Sequence, residues 1–235
     1  MRNSSRTWQT GIYEMSYYPV FLELEGKSAL VVGGGAVAQR KVETLLEFGA
    51  SIRIVSKELT PKLKKLVEIG RVRRMGNEFR NNHLEGASLV FAATDDKQLN
   101  HKISESALKR GLLINAVDQP ADCNFIVPAI VRRGDLSIAI STSGNSPALA
   151  KNIKRQLNSQ FGKEYETFLI LLGHLREEIL SAGFPQEANS RIFHEVIESG
   201  ILKAIAEDNW EKVKNTLKKI LPETVDLERC LNEQK

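Results

Sequence analysis

Gly33, Gly35 and Ala38 form a G-x-G-x-x-A pattern. The first glycine permits a tight turn, the second lets backbone approach a pyrophosphate, and the small third residue lets a helix pack on a strand. Ala36 and Val37 begin that helix, whose free N–H groups suit a phosphate. The chemistry implied is dinucleotide binding. Ser56-Lys57-Glu58 stands where an acid gripping the adenosine ribose is expected. There Ser56 and Lys57 are candidate cofactor contacts, with Lys57 suited to a 2′-phosphate and Glu58 to ribose hydroxyls; a solvated polar turn is the plainer alternative. Thr94-Asp95-Asp96 follows another apolar run, with Thr94 expected at the cofactor and the aspartates as helix caps. Asn115-Ala116-Val117-Asp118 closes a further run. Asn115 and Val117 are candidate cofactor contacts, and Asp118 is the leading acid–base candidate; a turn aspartate ahead of Gln119-Pro120 is the alternative.

A second polar region is rich in hydroxyls. Ser141, Thr142, Ser143, Asn145 and Ser146 lead into Pro147, and such a loop binds carboxylates or phosphates through hydroxyls and backbone N–H groups, or is simply a capped helix start. Between residues 129 and 162 five cations, Arg132, Arg133, Lys151, Lys154 and Arg155, face a single acid, Asp135. This local surplus equals that of the whole chain, 33 basic against 29 acidic residues. A net +4 is too mild to demand a nucleic-acid partner, but a small polyanion suits the region, with a solvated charged face as the alternative. The four histidines, His83, His101, His174 and His194, show no metal-ligand spacing, so no metal site is expected. With two cysteines, Cys123 and Cys230, neither a disulfide framework nor a cysteine-built metal site can form, and a reducing cytoplasm fits.

These residues need positioning elements. Residues 28–32 read as a buried strand entering the glycine turn, and Val42, Leu45, Leu46 and Phe48 then recur at helical spacing up to Gly49. Residues 52–55, 88–93 and 112–117 read as further buried strands; residues 61–69, capped by Thr60, and 97–110, closed by Gly111, read as helices. The alternation predicts an α/β fold with a Rossmann-like doubly wound parallel sheet. After Pro120, residues 125–131 and 136–141 suggest a hairpin outside that sheet. From Pro147 the pattern is helical, with stripes through Leu149, Ile153 and Leu157, through Phe168, Leu171, Leu172, Leu175 and Ile179, and through Trp210, Val213, Leu217 and Leu221. The expected organisation is a tail at 1–17, a dinucleotide domain at 18–118, a β-hairpin segment at 119–150 and a helical module at 151–235. Met1 to Glu14 has no apolar stretch behind Arg2 and Arg6 and does not read as a secretory signal, with Met15 as an alternative start. No apolar run approaches the ~20 residues of a membrane span.

Five ordered blocks resemble a known family: Tyr18-Pro19-Val20-Phe21-Leu22, Val32 through Lys41, Asn115 through Asp118, Asn124-Phe125-Ile126-Val127-Pro128-Ala129, and Ser141 through Ala150. They are similar to precorrin-2 dehydrogenase, the N-terminal module of siroheme synthase, over about Tyr18 to Arg155. The resemblance implies NAD-dependent oxidation of precorrin-2 to sirohydrochlorin, in some members followed by ferrous iron insertion to give siroheme. It also implies a homodimer, with residues 119–150 as the dimerisation segment, and gives the aspartate matching Asp118 a role in dehydrogenation. Arg132, Arg133, Lys151 and Arg155 would host the substrate's carboxylates, with the Ser141 to Ser146 hydroxyls as hydrogen-bond donors. The sequence stops at Lys235, short of the methyltransferase domain of the trifunctional members, so precorrin-2 is expected from another protein. A dinucleotide-sensing regulatory domain without catalysis is the competing class, but it leaves Asp118 and the basic hairpin unexplained. An NADP-linked reductase of a small substrate lacks an evident Tyr-x-x-x-Lys pair.

Overall fold

β1 (Ser28–Val32) is apolar and buried on both faces from Ala29 onward, as a central parallel strand must be. The computed structural model describes residues 17–232; the expected tail, including Met15, lies outside them but for Tyr17. The chain divides into two compact units, 1–127 and 128–235. In the first, β1 is followed by α1 (Ala36–Glu47), β2 (Ser51–Val55), α2 (Pro61–Glu68), β3 (Val72–Gly76), β4 (Leu89–Ala92), α3 (Lys97–Leu108) and β5 (Leu113–Ala116). The strands form one parallel sheet in the order β3-β2-β1-β4-β5. Side chains alternate between two cores. Ala29 and Val31 join Ala38, Val42 and Leu45 of α1 and Leu63 of α2, whereas Leu30 and Val32 join Ile103 and Ala107 of α3. The helices therefore cover opposite faces, and the strand order reverses beside β1, which opens a crevice at the carboxyl ends of β1 and β4.

The expected caps form: Thr60 Oγ1 accepts from the Leu63 N–H of α2 at 3.3 Å, and Asp96 Oδ1 accepts from Gln98 and Leu99 N–H at 2.9 and 3.0 Å at the start of α3. β3 is a strand the sequence pattern does not reveal, because only Val72 of its residues is buried and Arg73 and Arg74 are exposed on the edge.

The second unit opens with an antiparallel hairpin, β6 (Ala129–Arg133) and β7 (Leu136–Ile140), turned by Gly134 at φ +55°. The strand expected from Phe125 thus starts four residues later. Helices α4 (Pro147–Gln160), α5 (Glu164–Ser181), α6 (Gln186–Glu198), α7 (Ile201–Ala206), α8 (Trp210–Ile220) and α9 (Leu227–Asn232) follow. Phe168, Leu171, Leu175 and Ile179 of α5 pack with Val196, Ile201, Val213 and Leu217 in one core. The stripe expected on α4 is only partly covered: Ile153 and Leu157 are half-buried and Leu149 is 49% exposed, while the buried residue of the helix is Ala150. Among the described residues no helix is long and apolar enough to cross a membrane.

Candidate dinucleotide and acid–base site

The glycine turn works through close packing. Gly33 has φ +122°, and a Cβ there would run into the Ala93 carbonyl at the end of β4. At Gly34, a position the G-x-G pattern leaves unspecified, a Cβ would run into the Glu58 carbonyl. A Cβ on Gly35 meets nothing within 4 Å, so this glycine keeps backbone open towards the crevice rather than towards protein. The turn is tied to β2 and α2: Gly33 N–H donates to the Val55 carbonyl at 2.9 Å, Thr60 N–H donates to the Gly34 carbonyl at 3.0 Å, and Thr60 Oγ1 donates to Gln39 Oε1 at 2.7 Å.

Around this turn lies a cleft of about 1160 Å³. Gly33, Gly35, Ala36, Val37, Ser56, Lys57, Thr94, Val117 and Asp118 all line it, so the structure gathers residues spread over 86 positions of sequence at one sheet edge. Asn115 does not line it. Its Nδ2 donates to the Phe125 carbonyl at 3.1 Å, turning this expected cofactor contact into a brace for the segment after β5. Thr94 faces the cleft, but its hydroxyl is engaged at 2.7 Å with Asn100 Oδ1 and at 3.1 Å with the Asp96 carbonyl. Lys57, exposed, pairs with Glu78 at 3.3 Å, and Ser56 Oγ donates to the Glu58 carbonyl at 2.6 Å.

Several lining residues carry no sequence signal of their own. Asn77, Glu78 and Phe79 reach the cleft because they follow β3. Arg74 fixes that loop, with Nη2 donating to the carbonyls of Ser56 and Lys57 at 2.8 and 2.9 Å and to Asn77 Oδ1 at 2.9 Å. Asn100 is 1% exposed and Ser104 fully buried, two polar residues on the buried face of α3. Asn100 Nδ2 donates to the Thr94 carbonyl at 2.9 Å, and Ser104 Oγ donates to the Asp122 carbonyl at 2.6 Å, so each holds a loop at the site. A polar residue inside an otherwise apolar helical stripe is the signal that could have found them.

Asp118 lies just beyond β5 with φ +57°, outside the region a non-glycine residue normally takes. It is exposed at the cleft, and no described residue hydrogen-bonds its carboxylate. Lys41 of α1 stands 5.5 Å over the Phe91 ring, which meets Phe125 edge-on at 5.6 Å. Burial, and secondarily the charge of Arg40, holds the Lys41 ammonium below the usual lysine range.

The cleft fits a dinucleotide: glycine backbone is bare where a pyrophosphate needs close approach, and the volume admits two nucleotides. Ser56, Lys57 and Glu58 would hold the adenosine ribose, and Val117 and Asp118 would face the nicotinamide end.

The expected substrate hosts lie in the second unit. Arg133 is largely committed within it, with Nη2 donating to the Asn158 carbonyl and Oδ1 at 3.1 and 3.2 Å and Nη1 donating to the Arg132 carbonyl at 2.7 Å. Arg132 Nε donates to the Gly134 carbonyl at 3.0 Å, and Arg155 Nη2 donates to Asn152 Oδ1 at 2.7 Å, while Lys151 is exposed. In the hydroxyl loop Ser141 Oγ, Thr142 Oγ1 and Ser146 Oγ accept from Ser143, Ser146 and Leu149 N–H at 3.0, 3.1 and 3.2 Å. Ser146 is thus the cap of α4, while Ser143, at φ +51°, and Asn145 present exposed side chains.

Comparison with known proteins agrees with this geometry. Residues 20–129 match a family described as NAD(P)-binding, and residues 133–160 match the central region of sirohaem biosynthesis proteins. The siroheme synthase of Methylobacillus flagellatus is 35% identical over 208 residues, 88% of this chain and 44% of that protein. Siroheme synthase 1 of Serratia proteamaculans is 43% identical over 145 residues, 62% of this chain and 30% of that protein. The chain spans less than half the length of these relatives. The solved structure of SirC, a precorrin-2 dehydrogenase, superposes with a TM-score of 0.72 at 29% identity, covering 87% of this chain and 98% of SirC. A glycine turn, a cleft and a carboxylate in this order thus lie on a chain whose likeness to SirC and to the siroheme synthases runs from the first strand into α4.

Proposed function

We propose that this protein is an NAD-dependent precorrin-2 dehydrogenase that forms sirohydrochlorin in siroheme biosynthesis, working as a homodimer in the cytoplasm. The observation that carries the reading is the Asp118 carboxylate, unbonded among the described residues in a strained turn that lines the same cleft as the glycine turn. Bound NAD would supply the acceptor for the hydrogen that leaves with its electron pair, and the second hydrogen would leave the substrate as a proton. Asp118 takes that proton, a role that needs an exposed carboxylate within reach of the reacting carbon. Gly33 sets the turn, Gly35 leaves backbone bare for the pyrophosphate, and Thr94 and Val117 shape the wall beside it.

In the second unit, Lys151, Arg155 and Arg132 are proposed hosts for the substrate's carboxylates, with Ser141, Thr142, Ser143, Asn145 and Ser146 as donors. Arg133 would offer fewer free donors there, since its guanidinium already braces Asn158. The half-covered apolar stripe of α4 supports self-association.

Anaerobic incubation with precorrin-2 and NAD tests the reading. NADH should form in step with the sirohydrochlorin spectrum, and ferrous iron, a second substrate, is then added to score chelation against a protein-free control. NAD binding without oxidation would return the chain to a regulatory dinucleotide sensor. Lys151→Ala with Arg155→Ala should raise KM for precorrin-2 about tenfold at unchanged NAD affinity. An unaltered KM removes that pair from the substrate.

A further inference from the structure

β5 is an edge strand, yet its outward backbone groups are met mainly by side chains of the segment that follows in place of a sixth strand. Ile114 N–H donates to Asn124 Oδ1 at 2.8 Å, Asn124 N–H donates to the Ile114 carbonyl at 3.1 Å, and Asn124 Nδ2 donates to the Leu112 carbonyl at 2.9 Å. One step along the strand, Ala116 N–H donates to Cys123 Sγ at 3.1 Å. The same thiol lies 3.2 Å from the Ala116 carbonyl and 3.3 Å from the Gln119 carbonyl, which share its single proton. Asp118 sits inside the loop closed in this way, between Ala116 and Gln119. The far side of the loop is tied to α3, where Asp122 receives Ser104 Oγ on its carbonyl and pairs with His101 through its carboxylate at 2.7 Å. Gln119 Nε2 completes the frame, donating to Asp122 Oδ2 at 2.7 Å and to the Lys97 carbonyl at 3.2 Å.

We propose that Cys123 is a positioning residue, whose thiol pins the turn from Ala116 to Gln119 and so sets where the Asp118 carboxylate stands in the cleft. This rests on Asp118 being the base of the dehydrogenation. A thiol suits the task because it accepts from one backbone N–H and donates to a carbonyl at once, which a thiolate cannot do. Burial is the main cause that raises the Cys123 thiol above its ordinary range, and the Asp122 carboxylate adds to it, so the proton stays in place at neutral pH.

The test compares Cys123→Ala and Cys123→Ser, each alone and combined with Asp118→Asn, in the full chain. The readouts are single-turnover oxidation of precorrin-2, NAD affinity and amide exchange at Ala116. Cys123→Ala should slow turnover about tenfold, the scale of a misplaced reacting group, with NAD affinity within about twofold and faster exchange at Ala116. Cys123→Ser should recover most of the rate. In the Asp118→Asn background Cys123→Ala should cost nothing more, because a residue acting through Asp118 has nothing left to position. Wild-type turnover by Cys123→Ala beside a strongly slowed Asp118→Asn overturns this proposal alone, as does an equal further loss of the residual single-turnover rate in both backgrounds. Wild-type turnover by Asp118→Asn overturns the base assignment, and the proposal with it. If Cys123→Ala does not fold, Ser104→Ala, which cuts the tie from α3 to the same loop, carries the same comparison with the same outcomes.

Discussion

Beyond the central strand β1, Gly33 and Gly34 press backbone against the carbonyls of Ala93 and Glu58; beyond the edge strand β5, Asp118 stands on a turn held by side chains of Cys123, Gln119 and Asn124. Gly33 and Gly34 admit almost no substitution, because an added Cβ meets main chain that cannot move aside. The turn at Asp118 is assembled from hydrogen bonds that can be removed one at a time, each at modest cost. Rigid exclusion suits a pyrophosphate, a group of fixed shape. Adjustable suspension suits a carboxylate that must meet a reacting atom and a proton.

Four experiments sharpen or break this contrast. Gly33→Ala should have the largest effect, with stability falling by ~3 kcal/mol or more from the clash and the positive φ together, and NAD binding lost by fluorescence titration. Near-normal melting of this variant would mean that the turn yields. Asn124→Ala removes the partners of Ile114 N–H and the Leu112 carbonyl and should cost ~2 kcal/mol in urea unfolding while leaving NAD affinity unchanged. Gly35→Ala separates ligand from fold, because its Cβ would enter open space and its φ of −81° suits any residue. Its melting should change by less than ~0.5 kcal/mol, yet NAD affinity should fall about tenfold if pyrophosphate lies against it. The smallest effect belongs to His101, whose pKa is raised by its hydrogen bond to Asp122 and by that carboxylate's charge. A raised folded pKa gives stabilisation that is full below the ordinary histidine value near 6.5 and is lost as pH rises through the folded value. Histidine NMR titration should show His101 above its ordinary range, returning towards it in Asp122→Asn.

Much of this arrangement can be read from residue types. The turn at Gly33, the caps at Thr60, Asp96 and Ser146, and the buried strands β1, β2, β4 and β5 follow from local pattern, because each depends on near neighbours in sequence. β3 escapes because an edge strand with one buried side chain has no alternation to detect, and Asn77 to Phe79 are lost to view with it. Asn115 misleads for a different reason: it stands on a strand that ends at the cleft, but its amide turns to Phe125, a partner that only the folded chain brings near. The segment from Phe125 has strand-like residues, yet Asn124 is spent on the edge of β5 and Pro128 has no N–H to give, so pairing begins at Ala129. In the basic region the charges are legible, but their use is not. Arg133 is identical in type to its neighbour Arg132 and differs by reaching Asn158, 25 positions away.

The two margins of the parallel sheet also have a consequence for the protein's life in a crowded cell. Unpaired strands invite partners and can template aggregation. At β3 the margin carries Arg73 and Arg74, whose charges repel a like neighbour, whereas at β5 the thiol of Cys123 and the amide of Asn124 occupy the sites a foreign strand would seek. One margin is guarded by repulsion and the other by prior occupation, so the loop that suspends Asp118 also helps keep the molecule from polymerising through its sheet.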